Sequence, residues 1–287
     1  MNLNYNDWVQ GDKFKSLNND KIIFCRTEDV NSFFKICDKT KPFILITHNG
    51  DGSITDNPRS VNTMEAHHHA DVNLMPSNLH KWYGCMVEYD NEKIISLPLG
   101  VENDQHFEYK KSIILNEINS PVEKYEDKLL FVNFKISNNY SERIKAYNAI
   151  KDFNFCTFTD IMFTDEQLNI PKEKFPYINN LPFNIFAKEI RKHHFTICPV
   201  GNGLDSHRLW ESLYLGSIPI VKRNLNYSFY ENKLPILYIN EWKEITKELL
   251  LEKKIEIKNK INNGYYNFKL LNFSYWENLI KEESKKI

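Results

Sequence analysis

The chain has 287 residues, 41% hydrophobic and 14% aromatic, with 37 Lys and Arg against 38 Asp and Glu for a formal net charge of −1. That supplies apolar material for one large or two modest cores, while the near-neutral balance, without a dense basic cluster, excludes a broad electrostatic footprint for nucleic acid. No apolar run approaches the roughly 18–20 residues of a membrane span, so a soluble chain with no transmembrane anchor is expected. The five cysteines, Cys25, Cys37, Cys85, Cys156 and Cys198, are odd in number and form no CxxC pair. They read as reduced packing residues in a cytoplasmic setting.

In chain order, strands are expected at Lys21–Cys25, Phe43–Thr47 and Ile94–Leu97, with a helix over Val30–Cys37. The polar stretch Glu117–Asp127, interrupted by Pro121, reads as a linker. Beyond it the pattern alternates regularly: strand Leu129–Phe134, helix Ser141–Phe153, strand Phe155–Phe158, helix Phe183–His193, strand Phe195–Pro199, a helix ending near Leu215, strands Ile218–Val221 and Ile236–Ile239, and a long helix from Trp242 to Ile261. Alternating strands and helices predict an α/β fold with a mostly parallel sheet covered on both faces. The expected division is an acceptor-side domain over 1–120, a Rossmann-like nucleotide-sugar domain over 121–272 and a last helix over 273–287.

The most informative stretch runs from Phe195 to Arg223. A buried strand leads into Gly201 and Gly203, which let the backbone turn tightly beside a ligand. Asp205 or Ser206 caps the next helix, Gly216 ends it, and a second strand follows. In open parallel sheets ligands sit outside the carboxyl ends of the strands, where a helix N-terminus offers free N–H groups and partial positive charge. His207 and Arg208 fall in that first turn, where cations are locally unfavourable, so an anion is expected to compensate them. A diphosphate on Gly201, Asn202, Gly203 and Arg208 would do so, with Glu211 one turn along accepting from a ribose diol. Lys222 and Arg223 follow the next strand toward the same edge, and Asn133, Lys135 and Arg143 flank the first strand of this half. The plain alternative is a core helix whose Arg208 and Glu211 form only a solvated surface pair.

Ser206-x-Arg208-x-x-Glu211 followed by Leu215-Gly-Ser-Ile-Pro-Ile-Val221 resembles the signature of the exostosin-type glycosyltransferases, glycosyltransferase family 47, and their microbial and viral relatives. Fainter similarities lie in Phe43–Asp51, Leu97–Asn103 and Leu129–Phe134. The resemblance implies a GT-B fold: two Rossmann-like domains facing a cleft, with the terminal helix crossing back to the first. It also implies a sugar nucleotide, with uracil favoured as its base, held by the C-terminal half with no required metal or other cofactor. Arg208 would bind the diphosphate and Glu211 the ribose. The chain departs from the eukaryotic members in showing no apolar signal region and a short N-terminal half.

Inverting sugar transfer needs positive charge on the departing diphosphate and a base for the acceptor hydroxyl. Asp51 is the expected base, since Thr47-His-Asn-Gly-Asp51 closes a buried strand and Gly50 and Gly52 let the loop approach a ligand; His48 and Glu65 are the alternatives. His67, His68 and His69 invite a metal reading, but adjacent residues project about 100° apart on a helix or to opposite faces of a strand, so all three cannot ligate one ion. Trp82 and Tyr83 are candidates to stack on a glycan acceptor, against ordinary burial. The expected activity is transfer of a sugar from a nucleoside-diphosphate sugar to a glycan or glycoconjugate. The rivals are a GDP-fucose-dependent fucosyltransferase and a non-catalytic nucleotide- or glycan-binding module.

Overall fold

The computed structural model describes residues 7–57, 69–159 and 181–287. Its N-terminal part runs α1 (Gly11–Lys15), β1 (Ile22–Arg26), α2 (Val30–Ile36), β2 (Phe43–His48), the short β3 (Ile54–Thr55) and β4 (Ala70–Asp71), β5 (Leu79–Gly84) and β6 (Ile94–Ser96). Strands β1, β2, β5 and β6 form one parallel sheet in that order. Every residue of β2, Phe-Ile-Leu-Ile-Thr-His, is buried, which is why it reads as an unbroken apolar run: a parallel strand is covered on both faces. The long helix α3 (Asp104–Asn119) leads out of this sheet.

The second part runs β7 (Leu130–Val132), α4 (Tyr140–Ile150), β8 (Cys156–Phe158), α5 (Phe183–Lys192), β9 (Phe195–Ile197), α6 (His207–Tyr214), β10 (Ile218–Lys222), α7 (Leu225–Ser228), β11 (Leu237–Ile239), α8 (Lys247–Asn262) and α9 (Phe273–Ser284). Its five strands pair in the order β11-β10-β9-β7-β8, all parallel. The order reverses between β7 and β9, and in a doubly wound sheet the crevice beyond the carboxyl ends of two such strands is the ligand position.

The regular second half follows the apolar periodicity closely. Two elements of the first half do not. Strand β5, Leu-His-Lys-Trp-Tyr-Gly, carries polar residues at its outer positions. Helix α3 buries only Phe107 and Ile114, too narrow a stripe to stand out, and it runs to Asn119, inside the stretch read as linker. The single helix expected from Trp242 is split: a 3₁₀ turn at Trp242–Glu244 is closed by a Glu241/Glu244 capping box, and Thr246 caps α8 afresh by accepting from Leu249 N–H. Trp82 and Tyr83 are buried at 0% and 2% exposure, so they pack the sheet and do not stack on an acceptor.

One apolar cluster belongs to both parts. Trp8, Phe14, Ile44, Tyr83 and Phe107 join Leu209, Trp210, Tyr214, Tyr230 and Trp276 in it. The terminal helix α9 crosses back to the first part: Phe273 N–H donates to the Asp7 carbonyl at 2.9 Å, and His80 of β5 pairs with Glu283 at 2.8 Å. Polar groups also bridge the parts. Asn226 of α7 accepts from Val87 N–H at 3.1 Å, and the Tyr230 hydroxyl donates to the Ser96 carbonyl at 2.9 Å.

The buried carboxylate of Asp205 completes this junction. It accepts from Leu99 N–H at 3.2 Å in the first part, and from Ser206 N–H at 2.7 Å, Trp210 Nε1–H at 2.9 Å and the Tyr227 hydroxyl at 3.2 Å in the second. An asparagine here would turn its NH₂ against at least one fixed N–H donor in either flip, leaving it unpaired in the interior. Asp205→Asn is therefore expected to destabilise the fold by about 2 kcal/mol, lowering the thermal midpoint by roughly 4–8 °C. Differential scanning calorimetry that finds the two melting together would remove Asp205 as the organising contact.

Candidate active site

The cleft holds two adjoining cavities, about 520 and 810 Å³. Glu102, Asn138, Arg143, Ser206 and His207 line both, so the start of α6 stands where they meet. The first cavity is walled by the end of β2 and the turn after β9, including His48, Asp51, Gly201, Asn202, Gly203 and Asp205. The second is walled by the loop after β7, the start of α5 and one face of α6, including Asn133, Lys135, Phe183, Arg208 and Glu211. It lies against the reversal between β7 and β9.

Local sequence explains how α6 comes to face the cleft. Gly201 lies so close to Arg143 that an added methyl would sit 2.6 Å from its Nη2, and a methyl at Gly203 would meet the Met86 side chain at 2.8 Å. An added Cβ at either position would have to displace a buried side-chain end, and Gly216 takes φ +77° to end the helix in the left-handed region. Ser206 is the N-cap residue, yet its side chain makes no capping bond. Its Oγ is buried without a hydrogen-bond partner, and so is Nε of Arg208. Among the described residues the Arg208 guanidinium makes no hydrogen bond or ion pair. Two buried polar groups without partners thus stand at a helix N-terminus, where N–H groups favour an anion.

Arg143 is 4% exposed. It donates from Nε to the Val200 carbonyl at 2.9 Å and from Nη1 to the Lys135 carbonyl at 2.6 Å. Burial and the neighbouring Arg208 charge push its pKa down to about 9. Burial likewise lowers Arg208, against the pull of Cys198 and Glu211. Glu211, 4% exposed, is raised by burial, with Lys110 of α3, 3.9 Å away, acting in the opposite direction. Asn133 is buried and donates to Thr159 at 2.8 Å.

The N-terminal wall brings Asp51 and His48 to the first cavity, while Glu65, with His67 and His68, lies outside the described residues. The His48 ring is fully engaged: Nδ1 accepts from Asn49 N–H at 2.8 Å and Nε2 meets the Pro98 carbonyl at 3.2 Å. Burial pushes its pKa down to about 4. His69 is buried and accepts from Ser53 N–H at 2.9 Å. Among the described residues no group of three or more His, Cys, Asp or Glu is placed to hold a metal ion, and no helix is long and apolar enough to cross a membrane.

Three residues expected to contact the donor have partners within the protein. Asp205 borders the first cavity, but its carboxylate is taken up by four protein donors and carries the wrong charge for a phosphate; burial pushes its pKa up to about 6. Lys222 and Arg223 line neither cavity. The first pairs with Glu142 at 3.3 Å, the second with Glu231 at 2.8 Å, because acidic residues on α4 and after α7 capture the cations at the end of β10. Cys198, beside the site, is buried and raised to about 12, as befits a packing residue.

No curated protein matches the chain in sequence. Residues 159–275 match the family model of the RXYLT1 C-terminal domain, a span that contains β9, α6 and β10 with Arg208 and Glu211. Among solved structures the chain is similar to a UDP-forming α,α-trehalose-phosphate synthase from Burkholderia xenovorans, at 10% identity and TM-score 0.51 over 96% of this chain and 76% of that one. It also matches the glycotransferase of kitacinnamycin, at 7% identity and TM-score 0.41 over 92% and 76% of the two chains. The paired parallel sheets, the cleft between them and the terminal helix that crosses back are the GT-B fold found among glycosyltransferases.

Proposed function

We propose that this protein is a glycosyltransferase that moves a sugar from a nucleoside-diphosphate sugar to a glycan or glycoconjugate, with inversion and without a metal ion, as a member or close relative of glycosyltransferase family 47. The observation that carries the reading is the orphaned pair at the start of α6, Ser206 Oγ and Arg208 Nε, both buried beside the larger cavity. A diphosphate seated there satisfies both and meets the helix N-terminus, with Lys135 and Arg143 close by. The nucleoside then extends along the larger cavity, where Glu211 accepts from the ribose and Phe183 offers an aromatic face to the base. The acceptor occupies the smaller cavity, within reach of Asp51.

The GT-B fold and the match to the RXYLT1 C-terminal domain, an exostosin-like xylosyltransferase, support this assignment and favour a UDP-sugar, pentose or hexose. A GDP-fucose donor is the competing choice within the class, and a sugar-nucleotide binding module without turnover is the competing choice outside it. Of the groups expected to supply the base, Asp51 borders the acceptor cavity, whereas the His48 lone pair is taken by a backbone N–H.

UDP at one hundred times its Kd stabilises a protein that binds it by about 2.7 kcal/mol, and a clear upward shift in melting temperature is expected here. Arg208→Ala should weaken UDP by roughly 10- to 100-fold, the worth of a charge-assisted contact of about 1.5–3 kcal/mol; equal shifts in wild type and variant would sink the site. Glu211→Gln should weaken UDP several-fold and leave the shift produced by pyrophosphate unchanged, since only the ribose contact is lost. Isothermal titration with both ligands reads this directly, and a parallel loss for pyrophosphate would argue against the ribose role. Turnover of a UDP-sugar should be indifferent to excess EDTA; abolition by the chelator would replace the metal-independent reading.

A further inference from the structure

We infer that His207 takes the proton of the acceptor hydroxyl, an inference that rests on the transferase reading above and goes beyond it by assigning the base. Sequence order places His207 beside Arg208 in the first turn of α6, where it reads as one more cation for the diphosphate. The geometry gives it a different task. Its Nδ1 lies 2.8 Å from the carbonyl oxygen of Gly100. A carbonyl only accepts, so Nδ1 carries the hydrogen and Nε2 keeps its lone pair. Among the described residues that Nε2 has no partner.

The position of Gly100 makes this contact a built one. The residue takes φ +69°, and a side chain there would run into the Val9 backbone, so the turn that aims this carbonyl at His207 needs glycine. A hydrogen bond from one ring nitrogen to a fixed carbonyl is the device that sets the tautomer and orientation of a catalytic imidazole. His207 also stands at the junction, lining both cavities, whereas Arg208 lines only the larger and Asp51 only the smaller. A transferred sugar must sit at that junction, between its diphosphate and its acceptor.

The step balances without another reactant. The acceptor oxygen bonds to the anomeric carbon as its proton passes to Nε2 of His207. The bond from that carbon to the diphosphate oxygen breaks, and its electron pair leaves on the nucleoside diphosphate beside Arg208. The imidazolium returns its proton to water after release. The charged and titratable groups that line one or both of its cavities include His48 of β2, Glu102 after β6, Lys110 of α3, Arg143 of α4, and Asp205, Arg208 and Glu211 on its own segment.

The test uses the full chain, UDP as binding probe and release of free sugar from UDP-xylose and UDP-glucose as the readout of turnover. His207→Asn preserves a donor for the Gly100 carbonyl and removes the base. It should keep the UDP-induced thermal shift and lose turnover by roughly 10²- to 10⁴-fold. Added imidazole should partly restore His207→Ala. Nitrogen-15 NMR of the free protein should find the hydrogen of His207 on Nδ1. Wild-type turnover in His207→Asn, a hydrogen found on Nε2, or loss of turnover in Asp51→Asn alone would each overturn the assignment. Absence of any UDP shift in the wild type would instead overturn the nucleotide site on which it rests.

Discussion

The cleft depends on one buried carboxylate that pairs with no cation among the described residues. Asp205 collects donors from the turn before Gly100, from α6 and from α7, and so fixes the position at which α6 begins relative to the first sheet. His207, Arg208 and Glu211 inherit their places from that start. Leu99, which donates to Asp205, is the neighbour of Gly100, whose carbonyl meets His207, so one hub sets both the helix and the contact that orients its first side chain. The arrangement does not favour the ionised form: burial lifts the Asp205 pKa to about 6. A folded-state pKa above the unfolded value means that this group's contribution to stability diminishes as pH rises from about 4 to about 6. Asp205 is better understood as specifying a geometry than as adding stability.

The shared apolar cluster gives that geometry a rigid setting. Trp8 packs edge-on against Tyr214 with centroids 4.6 Å apart, and Trp210 against Tyr230 at 5.2 Å, so aromatic contacts run from the N-terminal segment to α6 and the turn after α7. Turning one sheet against the other would uncover several of these side chains, each worth roughly 1.5–3 kcal/mol when buried. Access to the junction is therefore through the open mouths of the two cavities, and the distances across it are set by packing before any ligand arrives.

The second half was legible because β7 and β9 are buried throughout and α5 and α6 are strongly amphipathic, so composition and period agree there. The first half was less so: α3 offers Phe107 and Ile114 as its whole buried stripe, and β5 mixes charge with aromatic residues. Within the site, the signature residues Ser206, Arg208 and Glu211 were readable because spacing on one helix fixes their relative directions. The pairing of Lys222 and Arg223 was not legible because spacing says nothing of Glu142 and Glu231, whose capture of those cations is tertiary. Arg143 and the His207–Gly100 contact were hidden for the same reason: each is made across a long stretch of chain, and no local pattern records a partner 57 or 107 residues away.

The electrostatics of the junction follow from having two guanidinium groups in a poorly solvated space. Arg143 is held by backbone carbonyls and pushed down to about 9 by burial and by Arg208, while Arg208 is depressed by burial with Glu211 as partial relief. Like charges kept this close destabilise the empty protein, and carbonyl dipoles offset only part of that. A dianionic group reverses the sign: it draws both cations, satisfies the orphaned Arg208 Nε and Ser206 Oγ, and meets donors already in place, so little reorganisation opposes binding. Under the proposed sugar transfer, negative charge on a leaving diphosphate would grow as the glycosidic bond breaks, so the same donors would hold the transition state more strongly than the bound substrate, and the repulsion between the two cations would become differential binding.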